Sequence, residues 1–357
     1  MSSDADARVA AGLLAYLSTA LAKPDLAYAS EPSRITGGTD AAIFGFSLDR
    51  APEHLREPLI LRLGWEGADP RRFVLEAAVQ NALASTGFPA PRAHVTEANA
   101  AVLGGPFVIM QRLQGRPLAH DVKGLGGGAS LAEKVHGMIG LPALFKQISA
   151  TWVEIQLRLH DLPAEPVLRA VADSGLDQRA VTFEGQRARL TAAIETANLT
   201  GLVPVLSWLQ ANQPASPRHA TICHGDFHPL NIMADAGAVT GVIDWANVVI
   251  AQPEMDVGSA IANISTVPIN LPAPLRPVLK AVIASALGSY VRTYRSKRSL
   301  DEHALRYFQV FRAFAQLGWA VVARQAGRSH SGAFASETGR QSLADFIAAR
   351  SGVRVKL

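Results

Sequence analysis

The stretch TICHGDFHPLNIMADAGAVTGVIDW, residues 221–245, concentrates the polar side chains of this sequence that are suited to catalysis. His224, Asp226 and Asn231 occur in the order H-x-D-x-x-x-x-N, and Asp244 follows thirteen residues after Asn231, behind an apolar run. Transfer of a phosphoryl group between two oxygens requires such a set, because the protein mainly positions the reactants and neutralises charge. The stretch therefore indicates phosphoryl transfer.

Each polar residue has a chemical role in that reaction. Asp226 can face the attacking hydroxyl as a general base, which requires hydrogen-bond reach before any particular pKa. Asn231 and Asp244 offer oxygen ligands of the kind that Mg²⁺ prefers. Both can lie near the nucleotide if the chain folds back between them, and residues 235–237 are a turn signal between two short apolar runs. We expect a hairpin here and a magnesium site formed by Asn231 and Asp244.

The motifs HGDFHPLN and IDW resemble the paired signatures of the aminoglycoside phosphotransferases and related choline-kinase-like small-molecule kinases. The resemblance implies that Asp226 is the catalytic aspartate, that His224 braces the catalytic loop, and that Asn231 and Asp244 bind magnesium. Asp256, in PEMDVG, matches a family aspartate that supports this loop. The implied reaction is magnesium-dependent transfer from ATP to a hydroxyl group of a small molecule.

These families share the protein-kinase fold, so the resemblance implies an α+β chain with two lobes. Residues 1–111 would form a nucleotide-binding lobe with a leading helix and a mixed β-sheet, and residues 112–357 a mainly helical lobe with the acceptor pocket. Two positions depart from the family pattern: Ala246 follows IDW where an acidic residue is common, and Gln252 replaces the aspartate of a G-D-P triplet. The alternative is a non-catalytic nucleotide-binding protein of the same fold.

Two other chemistries fit parts of the central stretch. His224, Asp226 and His228 form an H-x-D-x-H cluster that could supply zinc ligands for a hydrolase. Cys223, the single cysteine of the chain, lies beside His224 and invites assignment as a nucleophile. It ends an apolar, strand-like run, however, where a small buried side chain is the commoner explanation.

Candidates for nucleotide binding in the first lobe are Gly37, Gly38, Arg62, Glu76 and Met110. The Gly-Gly turn could let backbone amides approach phosphates, although any hairpin can use such a turn. By the kinase resemblance, Arg62 replaces a phosphate-facing lysine and Glu76 pairs with it from the following helix. The alternatives are a solvent-facing arginine and a solvated glutamate. Met110 ends the strand-like run PFVIM, next to the connector where adenine would stack.

Capping residues and periodicity indicate several further elements. Asp69 and Pro70 predict the N-terminus of a helix over residues 69–86. Residues 115–130 are rich in glycine and predict a surface loop or lid. Apolar spacing predicts helices over residues 142–160 and 305–327, with core packing as their expected use.

The distribution of charged residues along the chain indicates what charge the acceptor molecule carries. Residues 257–357 contain fourteen Lys and Arg against four Asp and Glu, in a chain whose net charge is +4. A basic region repels a polycationic aminoglycoside, so a neutral or anionic alcohol fits better. Antibiotics and metabolites both stay open as acceptors, and the family resemblance implies ATP without excluding GTP.

Composition and patterning also bear on partners and location. With 357 residues and 48% hydrophobic content, we expect a soluble globular chain. The absence of a signal-peptide pattern and of a long apolar run predicts no membrane partner, and the lone thiol fits the cytoplasm. A basic segment at residues 291–298 lacks a recognised nucleic-acid motif, so we expect no nucleic-acid partner. The sequence does not determine the oligomeric state.

Overall fold

The computed structural model describes residues 3–35, 41–120, 130–215, 220–268, 272–327 and 334–356. The chain divides into two compact units. The first contains Met1–Gly115 together with Glu165–Gln178 and Thr240–Ala246. The second contains Arg116–Ala164, Arg179–Val239 and Asn247–Leu357. Two segments that the sequence analysis places in the C-terminal lobe therefore belong to the first unit, and one of them includes Asp244.

The described residues contain strands and helices in mixed order along the chain. The strands are β1 (Ala27–Ile35), β2 (Ala41–Asp49), β3 (Leu59–Gly64), β4 (Ala93–Glu97), β5 (Phe107–Gln111), β6 (Arg116–Pro117), β7 (Thr221–Cys223), β8 (Ile232–Asp235), β9 (Ala238–Val242) and β10 (Val249–Ala251). The helices are α1 (Ser3–Ala20), α2 (Pro70–Ser85), α3 (Leu131–His160), α4 (Glu165–Asp173), α5 (Phe183–Thr196), α6 (Val203–Ala211), α7 (Glu254–Thr266), α8 (Arg276–Arg295), α9 (Glu302–Gln325) and α10 (Glu337–Ser351). Among the helices that the structure describes, none is both long and apolar enough to cross a membrane.

The first unit is built on an antiparallel five-stranded sheet with the order β1-β2-β3-β5-β4. Side chains alternate between the two faces of a strand, and β3 follows this rule. Leu59 and Leu61 belong to the core cluster that contains Leu13 and Leu17 of α1. Ile60 instead packs with the cluster that contains residues of α2. Arg62 has the same parity as Ile60, which places its side chain toward α2.

Helix α2 begins where the sequence predicts. The Asp69 side chain accepts a hydrogen bond from the Arg71 backbone N–H at 3.0 Å, and Pro70 occupies the first helical position. The cap satisfies a backbone donor that the first turn cannot pair internally. Phe73 and Ala77 face Val108 and Met110 of the sheet.

The second unit is mainly helical, and two close helix pairs organise it. In the first pair, Trp152 of α3 stacks on Tyr290 of α8, with ring centroids 3.7 Å apart and planes 10° from parallel. In the second, Gly258 of α7 meets α9, and a Cβ at this position would lie 3.0 Å from the backbone nitrogen of Gln309. Because Gly258 has no side chain, the backbones of α7 and α9 approach closely at this point. Side chains on the two helices can therefore contact each other.

Helix α3 is longer than the sequence prediction. The prediction begins at Pro142, where the run of apolar residues at helical spacing was taken to start. The helix begins at Leu131 instead, where Ser130 and Glu133 form a reciprocal capping box, and Pro142 lies inside it. In the predicted glycine-rich loop, Arg116 and Pro117 form strand β6, paired antiparallel with β8. Residues 121–129 lie outside the described part of the chain.

The hairpin predicted around residues 235–237 is present. Strands β8 and β9 are neighbours in a sheet with the order β6-β8-β9. Ala236 and Gly237 in the turn have φ values of 45° and 85°. Two successive residues with positive φ are typical of the tight hairpin turns whose twist matches the flanking strands.

Candidate active site

The loop between β7 and β8 carries the predicted catalytic residues, and the buried carboxylate of Asp256 holds its backbone. The Asp256 oxygens accept backbone N–H groups from His224 at 2.9 Å and from Gly225 at 2.7 Å. Gly225 has a φ of 79°. A Cβ at this position would lie 2.1 Å from the carbonyl oxygen of Asn247, so only glycine fits. The loop support that the family resemblance implies for Asp256 is present.

His224 and Asn231 orient the chain on either side of Asp226. The backbone N–H of Asp226 donates to Nδ1 of His224 at 3.2 Å. Nδ2 of Asn231 donates to the backbone oxygen of Asp226 at 3.0 Å. His224 is fully buried, so its contacts are with the protein interior and the loop backbone. Because Asn231 uses its amide nitrogen in this bond, its side-chain oxygen is the atom that a cation would bind.

Three hydrogen-bond donors converge on one oxygen of the Asp226 carboxylate. Oδ1 accepts a hydrogen bond from Nδ2 of Asn263 and lies 3.5 Å from Nε2 of His228. It also lies 3.6 Å from Nη2 of Arg312. Burial alone would raise the pKa of Asp226, but His228, followed by Arg312, outweighs burial and lowers the pKa below its ordinary value. The carboxylate is therefore ionised at neutral pH, and its side chain is 19% exposed.

Among the residues that the structure describes, Oδ2 of Asp226 has no hydrogen-bond partner, since the contacts above all involve Oδ1. One oxygen is thus anchored while the other can accept a hydrogen bond from a ligand. This is the arrangement that a positioned general base requires, because geometry precedes pKa in that role.

A buried polar chain behind the loop was missed by sequence reasoning. Nε2 of His160 lies 3.1 Å from Oδ2 of Asp256, and its Nδ1 lies 2.9 Å from the hydroxyl of Tyr294. The hydroxyl of Thr221 donates to the backbone oxygen of His160 at 2.6 Å. The apolar spacing of this helix predicted core packing only. The sequence signal that could have indicated this polar chain was the histidine at the end of an apolar helix, in LRLHDL.

The zinc alternative is not supported by the described residues. The group of three ligand-type side chains that does converge there is His160, Cys223 and Asp256, not the H-x-D-x-H cluster. These three already have hydrogen bonds within the protein, including one from Sγ of Cys223 to the Gln252 oxygen at 3.4 Å. Burial, assisted by the charge of Asp256, raises the pKa of the Cys223 thiol. The thiol is therefore protonated and is a poor nucleophile.

In the first unit, Arg62 of β3 forms the predicted ion pair with Glu76 of α2. The Glu76 side chain is 2% exposed and also accepts a hydrogen bond from Nε2 of Gln80 at 3.2 Å. Arg62 also lies over the ring of Phe73, 5.2 Å from its centroid. Burial raises the pKa of Glu76 to about 7, and the charge of Asp244 adds to this effect, while Arg62 opposes it.

Asp244 belongs to the first unit because its strand and the following turn pack there. The backbone N–H of Val242 donates to the oxygen of Pro89 at 2.8 Å. Trp245 is fully buried and meets Phe88 edge to face, with centroids 5.7 Å apart. Asp244 itself has a φ of 67°, which a non-glycine residue rarely adopts. Such backbone conformations cluster at ligand sites, where the surrounding structure maintains them.

Of the other three nucleotide-binding candidates, the structure describes only Met110. Gly37 and Gly38 lie outside the described residues. Met110 is buried in β5, where it is paired with Ile60 and Ala93. Its role toward a nucleotide stays a prediction, as do the catalytic and metal roles of His224, Asp226, Asn231 and Asp244.

Solved structures share this fold. A putative aminoglycoside phosphotransferase from Ralstonia eutropha is 17% identical, with a TM-score of 0.56, and the match covers 97% of this chain and 99% of that one. A thermostable mutant of aminoglycoside phosphotransferase APH(4)-Ia, in a ternary complex with ADP and hygromycin B, is also 17% identical, with a TM-score of 0.53 and coverage of 96% and 100%. At this identity the similarity establishes the fold, which confirms the α+β, kinase-like fold expected from the motifs.

Curated relatives match only part of the chain. Acyl-CoA dehydrogenase family member 11 from Rattus norvegicus is 27% identical over 183 residues, and the human protein of that name is 26% identical over 187 residues. The match covers 51% of this chain and 22% of each relative, so it spans about a fifth of their length. The model of the phosphotransferase enzyme family, by contrast, matches residues 34–296, well over half of the chain. The chain therefore belongs to the phosphotransferase enzyme family.

Proposed function

We propose that this chain transfers the terminal phosphoryl group of ATP to a hydroxyl group of a small molecule. The observation that carries the proposal is the Asp226 carboxylate, which is ionised, anchored through Oδ1 and open at Oδ2. Phosphoryl transfer uses such a group, because the attacking hydroxyl must be oriented and must lose its proton.

In the proposed step, the acceptor hydroxyl donates a hydrogen bond to Oδ2 of Asp226. The hydroxyl oxygen attacks the terminal phosphorus while the bond from that phosphorus to the bridging oxygen breaks, and ADP leaves with the bonding electron pair. The hydroxyl proton passes to Asp226. Asn263 holds Oδ1, so the carboxylate cannot rotate its free oxygen away from the acceptor.

Asn231 and Asp244 each offer a donor atom of the kind that a magnesium ion binds. Asn231 retains its side-chain oxygen, because Nδ2 is engaged with the Asp226 backbone. Asp244 offers a carboxylate on a backbone that packing holds at positive φ. Oxygen ligands of this kind suit Mg²⁺, which would neutralise charge on the phosphate oxygens.

The nucleotide-binding roles proposed for the first unit rest on the Arg62–Glu76 pair. The pair is nearly buried, with side chains 12% and 2% exposed, so Glu76 holds the guanidinium in one orientation. A planar guanidinium offers several N–H donors to phosphate oxygens. APH(4)-Ia was solved with ADP bound, which supports a nucleotide as the phosphoryl donor here.

The test is mass spectrometry of hydroxylated antibiotics and metabolites incubated with the protein, ATP and Mg²⁺. We expect one compound class to gain a phosphoryl group. Asp226→Asn and Asp244→Ala should each reduce the rate by about 100-fold or more, on the scale of general-base and electrostatic contributions. Asp235→Asn, at an exposed aspartate of β8, serves as the control and should keep the wild-type rate.

The outcomes separate the two candidate functions. An Asp226→Asn variant that retains full activity would refute the mechanism. If no compound is modified, calorimetric titration with Mg²⁺ and a non-hydrolysable ATP analogue decides between the alternatives. Tight binding without transfer would favour a nucleotide-binding protein, the alternative raised by Ala246 and Gln252, and no binding would exclude both.

A further inference from the structure

Helices α7 and α9 place a cation beside Asp226 that the sequence motifs do not include. Gly258 of α7 lies against Phe308 and Gln309 of α9, where a Cβ would contact backbone and side-chain atoms at 3.0–3.1 Å. This close approach brings Asn263, further along α7, beside Arg312, further along α9. Nε of Arg312 donates to Oδ1 of Asn263 at 3.1 Å.

The Arg312 guanidinium has more donors than its contacts in the protein use. A guanidinium carries five N–H groups, and in the described structure the Asn263 bond uses the one on Nε. The separation between Nη2 and Oδ1 of Asp226 is 3.6 Å, longer than a hydrogen bond. The side chain is 12% exposed, and its terminal nitrogens are not among the fully buried unpaired atoms of the described residues.

In the described structure, the side-chain groups that lie on Oδ1 of Asp226 are N–H donors. Of the carboxylates in the described part of the chain, Asp226 is the one within 4.0 Å of Arg312. The other side chains on Oδ1 are Asn263 and His228, which are donors. A polycationic acceptor requires several carboxylates close to its hydroxyl, whereas this neighbourhood offers N–H groups that suit an anion.

We infer that the acceptor carries an anionic oxygen group, a carboxylate or a phosphate, and that Arg312 binds this group while Asp226 receives the hydroxyl proton. This inference rests on the proposed function and names its substrate class. Arginine matches carboxylate and phosphate oxygens with paired, parallel hydrogen bonds, so it fixes the orientation of the acceptor as well as its charge. Asn263 holds Nε of Arg312 and leaves the terminal nitrogens for the ligand.

A rival role for Arg312 is to balance the charge of Asp226 without contact to the acceptor. The two roles make different kinetic predictions. Loss of charge balance would affect every acceptor equally, whereas loss of an anion contact would affect anionic acceptors and leave their neutral counterparts unchanged. Matched acceptor pairs therefore distinguish the roles.

The experiment compares acceptors that differ only in the anionic group. The pairs are β-hydroxybutyrate and its methyl ester, β-hydroxyoctanoate and its methyl ester, and α-glycerophosphate and glycerol, with choline and kanamycin as cationic acceptors. Phosphoryl gain is measured with ATP and Mg²⁺ for the wild type, Arg312→Gln and Arg312→Lys. Arg324→Gln, at an exposed arginine later on α9, is the matched control.

We expect the anionic member of at least one pair to be preferred, and Arg312→Gln to lower kcat/KM for it by on the order of 10- to 100-fold, mainly through KM. Arg312→Lys should recover part of the loss, and Arg324→Gln should match the wild type. Preference for the carboxylates or for α-glycerophosphate identifies the anion.

Equal or greater use of neutral or cationic acceptors would overturn the inference and leave the phosphotransferase assignment intact. A uniform loss across each pair in Arg312→Gln would also overturn it, in favour of charge balance. Failure of every acceptor would count against the inference, and nucleotide titration would then test the proposed function separately.

Discussion

Asp256 lies behind the loop between β7 and β8, and replacing it by asparagine tests what holds that loop in place. The Asp256 side chain is fully buried and accepts the N–H groups of His224 and Gly225, while His160 contacts the oxygen that His224 uses. Asparagine has the same shape but offers one acceptor oxygen and an NH₂ group. One of the two backbone N–H groups must then face another donor.

The expected cost follows from these contacts. A hydrogen bond to a charged group contributes about 1.5–3 kcal/mol, and a buried donor left unpaired costs a further 1–3 kcal/mol. Asp256→Asn should therefore destabilise the loop by about 3–5 kcal/mol. Since 1.4 kcal/mol is a factor of ten in an equilibrium constant, about 3 kcal/mol corresponds to roughly 100-fold less protection of the loop amides.

Hydrogen–deuterium exchange measures this protection directly. In Asp256→Asn, peptides that cover residues 221–231 should exchange at least about 100-fold faster than in the wild type, while peptides from the sheet of the first unit stay unchanged. Asp345→Asn, at an exposed aspartate of α10, is the control for loss of one negative charge. Unchanged exchange in residues 221–231 would refute the assignment of Asp256 as the support of this loop.

Two further predictions concern stability and backbone geometry. Because the pKa of Glu76 is raised to about 7 in the folded protein, the unfolded chain releases this proton at lower pH, so stability should fall as pH rises from about 4.5 to 7. Glu76→Gln should remove up to about 3 kcal/mol of this change in unfolding free energy with pH. Denaturant unfolding of both proteins at several pH values measures it, and parallel pH profiles for the wild type and the variant would contradict the prediction. Gly225→Ala should displace the loop, since its Cβ would meet the Asn247 oxygen at 2.1 Å. A displacement of about 1 Å can cost about 100-fold in rate, so activity near the wild-type level would show that the turn can relax.

Local sequence signals predicted the parts of the fold whose causes lie within a few residues. Asp69 and Pro70 marked the start of α2, because a cap and a proline satisfy the first turn by themselves. The turn at residues 235–237 predicted the β8–β9 hairpin for the same reason. The predicted start of α3 was wrong, because apolar spacing placed it at Pro142 while the Ser130 capping box lies further upstream.

The sequence by itself determined the family and the order of the candidate catalytic residues, and it predicted the Arg62–Glu76 pair, because motif spacing and element type carry that information. Only the tertiary structure decided what surrounds Asp226. Asn263 and Arg312 lie 37 and 86 residues after it, and no periodicity links them to it. Their position depends on how closely α7 and α9 pack at Gly258, and such packing depends on complementary shapes that are distant in sequence.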